Sequence, residues 1–215
     1  MEVKCFLLLR FYKISGIIGC CLYILHRIAF AYSHGTTPQN RRLPIFGIQQ
    51  TTALTVIVLL FCFCFWFSLF GLKKVAHPLG KVGKWILTIA QLSFIALFVS
   101  GILQNVVIDP TTEWDSLMGI FGWLLQIFAW HIFGVMMVIL GIVSFQTKSS
   151  RSESILFISS GIVALLSFHS EIIIYTVSTG TLFWDIIHAL LYFPFGIIWF
   201  LITKKMSYED VGNGN

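Results

Sequence analysis

The chain has 215 residues, 57% of them hydrophobic, 16% aromatic and only 11% charged, whereas soluble domains run at roughly 45–50% apolar and about 25% charged. A domain of this length in water has no way to hide that much apolar surface, so a soluble enzyme or carrier is excluded. The formal net charge of +5 raises nucleic acid as a partner, but the basic residues are dispersed over alternate connections instead of forming one patch, which removes that class.

The apolar residues come in six blocks, near 14–33, 48–70, 84–105, 117–144, 154–176 and 181–203. A bilayer's hydrocarbon core needs about 20 mainly apolar residues per helix. The expected fold is therefore all-α: a polytopic transmembrane bundle of six helices forming a single integral membrane domain over 1–215. The first block has two readings. Lys4, Arg10 and Lys13, the run ISGIIGCCLYIL and Ala29-Phe30-Ala31 together resemble a secretory signal. His26 and Arg27 break the run just before the supposed cleavage point, so a retained helix is the reading adopted.

The second block holds Cys62 and Cys64, and the first holds Cys20 and Cys21. With Cys5 near the inner end and no CxxC spacing, neither a disulfide framework nor a zinc ribbon is indicated. GLKKVAHPLGKVGK follows, a basic connection suited to the cytoplasmic side and to anionic lipid heads. The third block carries Ser93, Ser100 and Gln104 at helical spacing, leading into the acidic connection NVVIDPTTEWDSLMG. There, Asp109-Pro110 reads as a helix start, and Thr112 with Asp115 as a capping box. The fourth block has Gly119, Gly122, Gly134 and Gly141, small residues that let membrane helices approach closely. Trp85, Trp123, Trp184 and Trp199 fall mostly near block ends, where interfacial anchors are expected.

Orientation follows from the charges. Eleven of the fourteen basic residues lie before the first block, after the second, between the fourth and fifth, or after the sixth. The positive-inside rule assigns those positions to the cytoplasm, with both termini there, in a cell-membrane protein.

The fifth and sixth blocks meet in FHSEIIIYTVSTGTLFWDIIH, which keeps His169, Glu171, Asp185 and His188 inside one of the most apolar parts of the chain. On the sixth helix Thr181, Asp185, His188 and Tyr192 form one stripe; on the fifth, Ser160, Ser167 and Glu171 form another, with His169 turned away. Pro194 removes a backbone donor below His188, so a bend is expected there. A charged group near a helix centre costs roughly 2.5–3.5 kcal/mol on insertion scales, and less near an interface. Glu171 is tolerable but needs a partner, and Arg27, at similar depth, has the opposite charge.

The candidate ligand-binding residues are thus Arg27, Glu171, Asp185, His188 and Tyr192. The function expected first is binding or passage of a small ligand, a lipid head group or a proton through this outer-leaflet cluster. A metal-dependent membrane hydrolase is the alternative, with Asp185, His188 and Glu171 as ligands and either His26 or His131 as a further one. A structural subunit, pairing with another membrane protein or with itself through its glycine faces, is a third. No cofactor is implied, and the surrounding partner is the lipid bilayer.

Asp109-Pro110, Gly119 and Gly122 opening the fourth helix, and Gly180 ahead of the sixth make the chain resemble the bacterial and archaeal six-helix membrane family described as domain of unknown function nine-nine-eight. The resemblance covers most of the chain. It implies a six-helix membrane fold and no established activity, so no functional residue is carried over. The chain departs from that pattern where Trp184-Asp185 opens the sixth helix.

Metal content separates the first two functions. About one zinc per chain in the detergent-purified protein, lost in His188→Ala, would favour the hydrolase. No metal in either sample would leave the cluster as a ligand site or an ion-pair network.

Overall fold

With no water in a bilayer to satisfy them, backbone N–H and C=O groups must pair within their own segment, and long apolar runs therefore fold as helices. The computed structural model describes residues 2–34, 44–45, 48–75, 79–105, 117–147, 151–177 and 194–203; side chains are described for Leu8 and over 10–26, 28–29, 53–73, 79–103, 120–147, 151–166 and 194–203. Six helices account for nearly all of these: α1 Glu2–His34, α2 Gln50–Val75, α3 Gly80–Asn105, α4 Leu117–Gln146, α5 Arg151–Val177 and α6 Pro194–Thr203. Three stretches, Ala53–Lys73, Gly80–Leu103 and Ile120–Gln146, are long and apolar enough to cross a membrane.

Two details differ from expectation. Helix α1 begins at Glu2, well before the apolar block, and α2 runs through Lys73 to Val75. Hydropathy marks only the apolar part, whereas a nucleated helix propagates into polar flanks at little further cost. The second difference lies ahead of α2, where β1 (Pro44–Ile45) and β2 (Ile48–Gln49) form a two-residue antiparallel ladder, Pro44 opposite Gln49 and Ile45 opposite Ile48. The helix therefore starts at Gln50, two residues later than the apolar block. At the start of α3, Gly80 takes a φ of 62°, a left-handed conformation that only glycine adopts without a Cβ penalty.

Successive helices pack antiparallel. Ser15 Oγ donates to the Cys64 carbonyl at 3.0 Å between α1 and α2, and Gln91 Nε2 to the Trp66 carbonyl at 3.4 Å between α2 and α3. Ser100 Oγ donates to the Gly122 carbonyl at 2.8 Å between α3 and α4, and Ser154 Oγ to Ser144 Oγ at 3.1 Å between α4 and α5. Each neighbouring pair is thus bridged by one small polar group. Such bonds average only about 0.6 kcal/mol in membrane bundles, so packing must supply most of the cohesion.

Glycine permits that packing. A Cβ on Gly134 would sit 2.7 Å from Leu165 Cγ, and one on Gly141 2.7 Å from the Ser154 carbonyl oxygen; one on Gly161 would strike the Gly134 carbonyl. Gly134 and Gly141 of α4 therefore face α5 within the same chain. Helix α6 runs antiparallel to α1, with Gly196 beside Tyr23 and Ile24, and Thr203 against Gly16.

The surface is apolar as well as the core. Phe63, Leu92, Phe121, Phe128, Phe145 and Leu166 are each more than half exposed, whereas Ser68, Ser100, Ser144, Ser154, Ser160 and Thr203 are buried. Large apolar groups outside and small hydroxyls inside suit a hydrocarbon solvent and not water. Gly161→Ala should lower the unfolding midpoint in detergent, at a cost of about 1–3 kcal/mol for overpacking. Gly101→Ala, whose Cβ meets only side-chain atoms of Val58 at 3.3 Å and Leu59 at 3.4 Å, should cost less, and equal losses would refute the close α4–α5 contact.

Candidate functional site

Helix α1 buries Tyr12, Cys20, Tyr23 and His26, and Gly16 and Gly19 lie on the same face, which repeats every three to four residues. Tyr23 and His26 thereby enter the bundle interior. The His26 ring centroid is 5.7 Å from that of Phe61 on α2, and Tyr23 stands edge-on to Phe61 at 5.4 Å. Thr55, nearly two turns from Phe61 on α2, is buried too, as is Ser100 on α3. These four polar side chains occupy the half of the bundle that contains the C-terminal end of α1.

Beneath them lies an aromatic centre. Phe65 contacts Phe94 at 5.5 Å and Trp199 at 5.4 Å, Phe94 contacts Phe133 at 4.9 Å, and Trp130 contacts Phe195 at 5.3 Å. Tyr23 joins it through Phe195 at 5.2 Å and Trp130 at 6.4 Å. Most pairs are tilted or edge-to-face, the arrangement the ring quadrupole favours, worth about 0.5–1.5 kcal/mol each beyond area burial. Trp199 is fully buried here. It is not an interfacial anchor as its position near a block end suggested, because α6 enters the middle of the bundle. Trp85, 69% exposed near the start of α3, does occupy an end position. Among the described residues, Trp199 Nε1 has no hydrogen-bond partner.

The sequence-derived cluster falls mostly beyond what is described. Asp185, His188 and Tyr192 lie outside the described residues, as does the segment of the expected bend preceding Pro194. Arg27 and Glu171 belong to α1 and α5, but their side chains, like that of His169, are outside the described set. Their backbone levels are defined. Tyr23 touches Trp130, which is one turn from Gly134, and Gly134 packs on Gly161 and Leu165. Arg27 is one turn above Tyr23 and Glu171 six residues above Leu165, so the two stand within about one turn of the same height.

Of the histidines considered as a further metal ligand, His26 faces inward. His131 is half-buried on α4, its Nδ1 2.9 Å from the Ile127 carbonyl of its own helix. That oxygen only accepts, so Nδ1 is the protonated, donating nitrogen of this contact. Among the described residues, no group of three His, Cys, Asp or Glu side chains is placed to hold a metal ion. Sequence reasoning passed over Tyr23 and Thr55; the Tyr23–His26 spacing on the face of Gly16, Gly19 and Cys20 was the available signal.

No family model, curated protein or solved structure matches the chain. The all-helical fold, three membrane-length apolar helices and an apolar exterior define the class: a helical membrane protein.

The aromatic centre makes a stability prediction. Phe65→Ala should cost about 3–5 kcal/mol, the usual range for a buried aromatic truncation. Trp199→Phe should cost clearly less, since it also removes an unpaired N–H. Phe128→Ala, at a position 62% exposed, should barely move the unfolding midpoint, and a ranking other than this one would refute the centre.

Proposed function

We propose that the chain is a multi-pass protein of the cell membrane, with six spans and both termini in the cytoplasm, that binds or passes a small ligand, a lipid head group or a proton through a polar cluster in its outer half. One observation carries the reading: His26, an ionisable side chain, is buried in the bundle interior, in the layer to which Arg27 and Glu171 belong by backbone height. Intramembrane ionisable groups are costly and are functional hypotheses by default. A histidine among them adds a ring that can both donate and accept hydrogen bonds. Asp185, His188 and Tyr192 would complete the cluster from the sixth helix.

The charge distribution supports the orientation. Every cationic residue whose side chain is described, Arg10, Lys13, Lys73, Lys81, Lys84 and Arg151, sits at the end of the bundle where α1 begins. The His26 layer is in the opposite half.

The proton is the probe that requires no knowledge of a ligand. Proteoliposomes with a trapped pH-sensitive dye should dissipate an imposed pH gradient, and Glu171→Gln or Asp185→Asn should bring the rate to that of empty vesicles. Wild-type vesicles no leakier than empty ones would remove proton passage and leave ligand binding. Topology is tested separately. An impermeant maleimide applied to intact cells should label Thr37→Cys but neither Ser149→Cys nor Ser207→Cys; the reverse pattern would invert the orientation.

A further inference from the structure

At the basic end of the bundle, the outward stripe of α2 is aromatic. Phe63, Trp66, Phe67 and Phe70 recur at helical spacing and end in Lys73. Phe63 and Phe67 lie nearly parallel, 6.1 Å apart with 12° between planes. Tyr12 of α1 closes the other side of the α1–α2 seam, 4.8 Å from Phe67 and 6.3 Å from Phe70. Trp66 meets Phe70 edge-on at 4.9 Å. Phe63 is 54% exposed, whereas Tyr12 is buried, so the wall is open outward and backed by rings.

The mouth of the seam is cationic. Lys73 Nζ is held 5.6 Å above the Phe70 ring, a placement that orients the ammonium by cation–π attraction. Lys13 and the exposed Arg10 of α1 lie at the same end of the bundle. Glu153 of α5 is the one carboxylate whose side chain is described, and α5 packs on α4, away from this seam. A positive mouth over a flat aromatic wall complements an anionic head group carrying an extended acyl chain. Generic positive-inside charge lacks the second half of this match. The exposed Lys84 on α3 belongs to the generic set.

We propose that the α1–α2 seam is a selective site for one anionic phospholipid of the leaflet at the basic end, its acyl chain along Phe63, Phe67 and Tyr12 and its phosphate at Lys73. The site is separate from the polar cluster around His26 and needs only that the bundle be in a bilayer. Attraction of about one surface lysine's strength gives roughly a fivefold preference.

Native mass spectrometry of the detergent-purified protein, titrated with phosphatidylglycerol or with phosphatidylcholine of the same chains, tests it. One phosphatidylglycerol should be retained about fivefold more than phosphatidylcholine. The preference should disappear in Lys73→Gln, persist in Lys73→Arg and in Lys84→Gln, and total retention should fall in Phe67→Ala. Unfolding midpoints of the variants identify any that has lost its fold, and Lys73→Arg against Lys73→Gln keeps the comparison decisive on an intact surface. Equal retention of the two lipids by the wild type would overturn the proposal. So would a loss in Lys84→Gln as large as in Lys73→Gln, the mark of a diffuse basic collar.

Discussion

Rings from five helices meet at the centre of this bundle, and the positions of the remaining elements follow from that meeting. Tyr23 comes from α1, Phe61 and Phe65 from α2, Phe94 from α3, Trp130 and Phe133 from α4, and Phe195 and Trp199 from α6. In hydrocarbon the hydrophobic effect does not draw apolar helices together, because lipid tails are as apolar as the side chains. Cohesion has to come from close contact and from directional interactions. Rings supply both: they carry many dispersion contacts and prefer the tilted geometry seen between Phe94 and Phe133, 65° at 4.9 Å. Helix α6 contributes two of the fully buried large side chains, Phe195 and Trp199, from a described length of only ten residues.

The polar groups are arranged around this centre in a way that keeps their cost low. Hydroxyls either bridge to the next helix, as Ser100 does to the Gly122 carbonyl, or bond back to their own, as Ser93 does to the Ile89 carbonyl at 3.2 Å and Thr203 to the Trp199 carbonyl at 3.0 Å. Both use acceptors already present on the backbone, so no charge has to be desolvated. Ser160, buried without a partner among the described residues, is an exception. It adjoins Gly161, where the α4–α5 backbones approach most closely, and tight packing has taken precedence over satisfying its hydroxyl.

This economy separates the two ends of the molecule. The described cations gather at one end, where α1 begins. The opposite half of the interior holds His26, Tyr23, Thr55 and Ser100. An aromatic layer lies between the two zones.

The membrane class, the helix order and the basic end were legible in the residues, because block length, hydropathy and the spacing of lysines act locally and do not depend on neighbours. Arg27 and Glu171 could be assigned to one layer from chain position, and their backbone heights agree. The direction each buried face points was not legible. On α1 a weak polarity contrast hides the Gly16–Tyr23–His26 face, since an all-round apolar helix carries little record of which side meets protein and which meets lipid. Trp199 shows the same limit: its place near a block end suggests an interface, and only the entry of α6 into the bundle puts it among Phe65, Phe94 and Phe133. Glycines 134 and 141 announced close packing, but the identity of their partner, α5 of the same chain, depended on how the helices were assembled. The sequence by itself determined the solvent, the helices and the charged end, because each residue meets the bilayer's demands directly. The tertiary structure alone decided which faces, rings and carbonyls meet, because in an apolar solvent only shape distinguishes one apolar surface from another.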